Sequence, residues 1–81
     1  MAKMRVLSAR GDTVLEWDER KLQTGDPEAV SAVREAERIF EEQRARGATA
    51  FKVEADTPAR RLDAFDRTAE QIIVVPRVAG G

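Results

Sequence analysis

The sequence ends in two glycines, Gly80 and Gly81, and these residues point most directly to chemistry. Because glycine has no Cβ, a diglycine segment can pass in an extended conformation through a channel too narrow for other residues. An enzyme that activates a carboxyl terminus needs such a segment to reach the carboxylate. We therefore expect the carboxylate of Gly81 to be a site of activation and Gly80 to give access to it. The alternative is a frayed terminus in which the two glycines occur by chance.

Other chemistry is restricted because the chain contains no histidine and no cysteine. Their absence excludes thiolate nucleophiles, imidazole bases, disulfides and the usual zinc sites. Acidic residues are frequent in residues 34–44, but arginines are interleaved with them, which is typical of a solvated helix face rather than a metal site. No pair of nucleophile and base is apparent among the Asp, Glu, Ser and Thr residues. We therefore expect no enzyme, no catalytic residue, no metal and no bound cofactor.

Composition indicates a single small domain, since 81 residues with 42% hydrophobic and 36% charged residues can form one core and stay in solution. A net charge of −1 argues against nonspecific binding to nucleic acid or to anionic membranes, which requires an excess of basic residues. The sequence shows neither a signal peptide nor the roughly 20 consecutive apolar residues of a membrane span. We expect a cytoplasmic protein.

The first third of the chain predicts a β-hairpin. Residues 4–8 form the first strand, Gly11 takes a positive φ in the turn, and residues 13–17 form the second strand. Trp17 is expected to pack against the helix that follows, with stacking on a ligand as the alternative. Residues 18–25 are interpreted as a polar connection.

The central segment predicts a long amphipathic helix. Asp26 is suited to the N-cap, Pro27 to the first helical position, and Gly47 to the position that ends the helix. Apolar residues recur at helical spacing along one stripe, which we expect to face the core: Ala29, Val33, Ala36 and Phe40.

Residues 49–54 alternate between apolar and charged side chains, which predicts a strand. We expect Phe51 and Val53 to face the core and Lys52 and Glu54 to face solvent.

The chain then turns at residues 56–59, and a shorter strand through Leu62 and Phe65 is expected to pair back on the preceding strand. Residues 66–70 are predicted to form one helical turn capped by Asp66.

Residues 72–75 are four consecutive apolar residues, which is typical of a central strand covered on both faces. A single helix can cover only one face of a sheet. The second face is therefore either covered by residues 18–25 or 55–61, or exposed as a docking patch. The sequence leaves both possibilities open.

The order strand, strand, helix, strand, strand, strand resembles the β-grasp fold of ubiquitin, an α+β fold with a mixed sheet and one long helix packed on one face. The ending from Val74 to Gly81 resembles the C-terminus of small sulfur carriers, such as the molybdopterin-synthase small subunit and the thiamine-pathway carrier. Bacterial ubiquitin-like modifiers share this ending. The resemblance implies a β-grasp-like domain in residues 1–76 and a flexible diglycine tail in residues 77–81.

The resemblance also implies partners and a chemistry. An adenylating enzyme of the ubiquitin-activating type would use ATP to convert the Gly81 carboxylate to an acyl-adenylate. A conjugating enzyme and a deconjugating metalloprotease are further implied partners. Proline would end strand pairing and release the tail, and the arginine after it could pair with a carboxylate of the activating enzyme. The residues implied in recognition of the tail are Pro76, Arg77, Val78 and Ala79.

Three functions therefore remain. The long helix and the single proline at residue 76 depart from sulfur carriers and favour a conjugated modifier. A sulfur carrier bearing a C-terminal thiocarboxylate is the first alternative. The second is a structural protein that joins a larger assembly without covalent attachment, for which the terminal carboxylate would be dispensable.

Overall fold

A computed structural model describes residues 1–77. They form a small α+β domain with a five-stranded mixed sheet and one long helix. In chain order the elements are β1 (Ala2–Val6), β2 (Thr13–Trp17), α1 (Glu19–Gln23), α2 (Pro27–Ala45), β3 (Thr49–Glu54), β4 (Thr57–Leu62) and β5 (Gln71–Val75). The strand order is β2-β1-β5-β3-β4, so β5 is central as predicted. β1 and β5 are parallel, and the other pairs are antiparallel.

The long helix α2 begins where the sequence predicts. The Asp26 carboxylate accepts hydrogen bonds from the backbone N–H groups of Glu28 at 3.0 Å and Ala29 at 3.3 Å, and Pro27 follows the cap. These bonds satisfy two of the N–H groups that a helix start leaves without partners. The buried residues of α2 are the four of the predicted stripe: Ala29, Val33, Ala36 and Phe40.

The core lies between α2 and one face of the sheet. Ile72 and Val74 of β5 are fully buried there, and Trp17 is also buried, which confirms its predicted packing role. The other sheet residues of this core come from β1 and β3: Ala2, Met4, Val6 and Ala50. Because side chains alternate along a strand, each of these strands turns its remaining residues to the opposite face.

Two N-terminal predictions require correction. β1 spans Ala2–Val6 rather than residues 4–8, because Ala2 pairs with Trp17 and lies in the core. Residues 19–23 form helix α1 instead of an irregular connection. The Asp18 carboxylate caps α1 by accepting hydrogen bonds from the backbone N–H groups at positions 20 and 21, at 2.9 and 3.3 Å.

Strand β4 begins and ends earlier in the chain than predicted. The turn lies at residues 55–56, where Asp56 has a φ of 60°, and β4 begins at Thr57 and ends at Leu62. A proline at residue 58 suggested a turn, but an edge strand tolerates proline because one side of its backbone has no strand partner. Phe65 follows β4 and enters the core.

Phe65 lies between two other aromatic rings, with centroids 6.0 Å from Trp17 and 5.7 Å from Phe40. Residues 66–70 form a turn rather than the predicted helical turn. Asp66 still acts as a cap, because its carboxylate accepts a hydrogen bond of 2.9 Å from the Thr68 N–H group.

The facing of β3 was predicted wrongly. Ala50 is fully buried in the core, so Phe51 and Val53 point to the opposite face, where they are half-buried. Lys52 lies on the same side as Ala50, because residues two apart share a face. A period-two pattern defines two faces but does not say which one meets the helix.

Candidate functional site

The sheet has a second face, opposite α2, which we call the open face. Five of its residues are apolar, and none of these belongs to the core cluster. The open face comprises Val14, Phe51, Val53, Ile73 and Val75, together with Lys3, Arg5, Glu16, Gln71 and Arg61. Val14 is 42% exposed, and the other four apolar residues are half-buried.

The strand register places one row of residues straight across this face. Val14 is opposite Arg5, Arg5 is opposite Ile73, and Ile73 is opposite Phe51. Arg61 of β4 ends the row opposite Phe51. Since neighbouring strands are about 4.8 Å apart, the row is roughly 19 Å long. It presents an apolar centre between two arginines.

The segments that could have covered the open face lie elsewhere. Helix α1 contacts α2, and its Leu22 packs against the core. Residues 57–62 form edge strand β4 and extend the sheet instead of lying across it. Neither segment lies across the face, so of the two possibilities left by the sequence, coverage by residues 18–25 or 55–61 was wrong. The apolar strip is partly exposed and flanked by charges, which is a feature of docking surfaces.

Arg5 contributes both charge and apolar surface to the open face. Its guanidinium Nη1 lies 3.7 Å from Oδ2 of Asp12, in the β1–β2 turn. Its Nε is buried and has no hydrogen-bond partner among the described residues. A buried N–H group without a partner is unusual and lowers the stability of the folded state.

The predicted tail begins at the end of β5. Val75 is the last residue of β5, and Pro76 cannot donate a backbone hydrogen bond, so strand pairing stops there. Arg77 lies beside Gly47, at the end of α2. The remaining predicted site residues, Val78, Ala79, Gly80 and Gly81, lie outside the described residues.

An ion pair that the sequence did not reveal holds the 63–70 loop to the sheet. Lys52 was expected to face solvent, but its Nζ donates a hydrogen bond of 2.8 Å to Asp66 Oδ2. Together with hydrogen bonds from Thr68, this bond lowers the pKa of Asp66 to about 2, and in return raises the pKa of Lys52. The pair stabilises the loop that carries Phe65 and Ala69 into the core. Its role is structural, since its partners are all within the domain.

Among residues 1–77 no group of three or more acidic residues is placed to hold a metal ion. None of the helices described has both the length and the apolar character required to cross a bilayer.

Comparisons with known proteins found no match among family models, curated proteins or solved structures. Function is therefore inferred from the geometry of the fold, the open face and the start of the tail.

Proposed function

We propose that this chain is a ubiquitin-like protein modifier with a β-grasp fold, activated by adenylation of the Gly81 carboxylate and transferred to target molecules. One observation carries the proposal. The sheet order β2-β1-β5-β3-β4 puts β5 between a parallel and an antiparallel neighbour, and β5 leads directly to Pro76. The segment that ends in Gly81 is thereby attached to the central strand of the sheet, which is paired on both sides.

The chain would supply no catalytic side chain to the reaction. An oxygen of the Gly81 carboxylate would attack the α-phosphorus of ATP in the activating enzyme, and pyrophosphate would leave. A thiol of the partner enzyme would then attack the acyl carbon and form a thioester with release of AMP, and a nucleophile of the target would attack the thioester and release the thiol. What the domain contributes is a rigid body that the enzyme can hold while the terminal carboxylate reaches ATP.

The open face is suited to be the surface that the activating enzyme holds. Ile73 and Val75 lie on that face and belong to β5, the strand from which the tail continues. A partner docked on the open face would therefore hold the strand that leads into the tail. The arginines at positions 5 and 61 would favour a partner whose contacting surface is acidic around an apolar centre.

A sulfur carrier would use the same first step, but a sulfide-level sulfur donor would then displace AMP from the acyl carbon and leave a thiocarboxylate. The 19-residue length of α2 favours the modifier, since the helix of sulfur carriers is usually shorter. The open face also supports the second alternative, a noncovalent assembly protein, because such a protein needs only a docking surface.

The test is intact mass spectrometry of the purified protein incubated with ATP and each ubiquitin-activating-type enzyme of the source organism. The mass of the protein isolated from that organism first establishes whether Gly81 is its terminal residue. We expect an ATP-dependent adenylate or thioester, which disappears when Gly81 is deleted or when one alanine is added after it. Circular dichroism of these two variants controls for folding.

Replacement of one oxygen by sulfur at the terminus would select the sulfur carrier instead. Absence of any adduct with every such enzyme would contradict both covalent functions. The noncovalent assembly function would then be favoured.

A further inference from the structure

The end of α2 and the start of the tail meet at Gly47. A Cβ atom placed on Gly47 would lie 3.1 Å from Cδ of Arg77, 3.7 Å from its Cβ and 3.9 Å from its Cγ. Carbon atoms in ordinary contact are about 3.5–4.0 Å apart, so a side chain at residue 47 would require the Arg77 stem to shift by a few tenths of an ångström. The aliphatic stem of Arg77 therefore lies over the α-carbon of Gly47.

Gly47 is a rigid support for this stem. It has a φ of 93°, and its N–H group donates to the carbonyl of Arg44 at 2.9 Å. The next N–H group, of Ala48, donates to the carbonyl of Gln43 at 3.0 Å. This pair of bonds is the Schellman arrangement that ends a helix at a glycine. Two separate features favour glycine at residue 47: its backbone conformation and the close approach of the Arg77 stem.

The contact follows from the strand register. Thr49 of β3 is paired with Val75 of β5 in an antiparallel ladder. Two residues before Thr49 is Gly47, and two residues after Val75 is Arg77, so the same register places them opposite each other. The contact also brings the Arg77 cation to the C-terminal end of α2, where the helix dipole favours positive charge.

From this geometry we infer that Arg77 is a positioning residue. Its stem, seated on Gly47, determines the point and direction in which the chain leaves the domain, and so how the terminal carboxylate is presented to the activating enzyme. The functional part of this inference rests on the proposed function. It differs from the expectation drawn from the sequence, in which the Arg77 charge pairs with a carboxylate of the enzyme.

Substitutions separate the stem from the charge. Arg77→Met retains an unbranched stem without the charge, and Arg77→Lys retains both. Arg77→Ala removes both. Gly47→Asn places a Cβ in the space of the stem, and asparagine tolerates a positive φ better than most residues. If Gly47→Asn fails to fold, the three Arg77 variants still decide the question.

Two measurements are made on the full chain. The first is ¹⁵N relaxation of the backbone amide of residue 77, which reports its order without any enzyme. We expect the wild-type protein, Arg77→Lys and Arg77→Met to be ordered at this residue, and Arg77→Ala and Gly47→Asn to be mobile. Equal order in Arg77→Ala and the wild-type protein would overturn the inference, as would mobility of Arg77→Met equal to that of Arg77→Ala.

The second measurement is ATP–pyrophosphate exchange with the activating enzyme, analysed as kcat and KM for this protein. A misplaced reacting group costs up to about 100-fold in rate, so we expect kcat to fall about tenfold or more in Arg77→Ala. Arg77→Met should keep kcat. Equal loss of kcat in Arg77→Met and Arg77→Ala would assign the role to the charge and overturn the positioning role. Failure of the wild-type protein to support exchange would contradict the proposed function. The relaxation measurement separately decides whether the Arg77 stem packs on Gly47 and orders residue 77.

Discussion

Replacing Asp66 by asparagine removes the charge that holds the 63–70 loop to β3. The ion pair with Lys52 and the hydrogen bonds from Thr68 lower the pKa of Asp66 from its ordinary value of 3.8 to about 2. One pKa unit corresponds to about 1.4 kcal/mol, so the ionised form adds at most roughly 2.4 kcal/mol to the free energy of unfolding. The Asp66 side chain is 28% exposed, and water screens the pair. We therefore expect Asp66→Asn to lower that free energy by about 1–2 kcal/mol at neutral pH.

The pH dependence has a defined sign. Because the pKa of Asp66 is lower in the folded state, its contribution is complete above about pH 4 and is lost as the pH falls toward about 2. The difference between the wild-type protein and Asp66→Asn should therefore narrow below about pH 4. Urea unfolding at several pH values measures this difference in the free energy of unfolding, with the fluorescence of buried Trp17 as the signal.

Asp63→Asn is the matched control. Asp63 lies in the same loop, but its side chain is 82% exposed and its nearest cationic atoms are 3.6 and 3.8 Å away, on Arg44 and Arg61. Exposed pairs contribute about 0–1 kcal/mol, so this variant should unfold nearly like the wild-type protein. Equal losses of free energy of unfolding in Asp66→Asn and Asp63→Asn would refute a stabilising role of the Asp66 charge. A loss in Asp66→Asn that is the same at low and neutral pH would also refute it.

Two further predictions test the fold by urea unfolding. Ile72→Ala should lower the free energy of unfolding by about 2–5 kcal/mol, because Ile72 is fully buried. Ile73→Ala on the open face should lower it by at least about 1 kcal/mol less, because Ile73 is half-buried. Equal losses in the two variants would contradict the assigned faces of β5. Asp26→Ala should lower the free energy of unfolding by about 1 kcal/mol, because two backbone N–H groups lose their hydrogen-bond acceptor. Asp26→Asn should be nearly as stable as the wild-type protein, because the asparagine side-chain oxygen can accept the same bonds. No recovery in Asp26→Asn would assign the effect to charge rather than to the hydrogen bonds.

Local patterns in the sequence predicted helix α2 most accurately. The cap at Asp26, the apolar stripe and the glycine at residue 47 each act within a few residues of the chain, so their effects can be read without tertiary structure. The same holds for β2 and β3, whose bounds were predicted correctly. The central position of β5 was also predicted, from a run of four apolar residues that is typical of a strand covered on both faces. The strand is central, but the segments expected to cover its second face lie elsewhere.

Other features depended on contacts between distant parts of the chain. Alternation along β3 did not reveal that Ala50 rather than Phe51 faces α2, because that choice depends on how the helix crosses the sheet. The ion pair between Lys52 and Asp66 joins residues 14 positions apart. The contact of Arg77 with Gly47 joins residues even farther apart, through the β3–β5 register.

The amino-acid sequence by itself determined the class of the domain, its long helix and its central strand. These are consequences of composition, of local periodicity and of residue types at single positions. Only the tertiary structure decided that neither α1 nor β4 lies across the second sheet face, and that Arg77 lies against Gly47 at the end of α2. Both depend on strand order and register, which set the neighbours of each side chain and are not contained in any local segment of the chain.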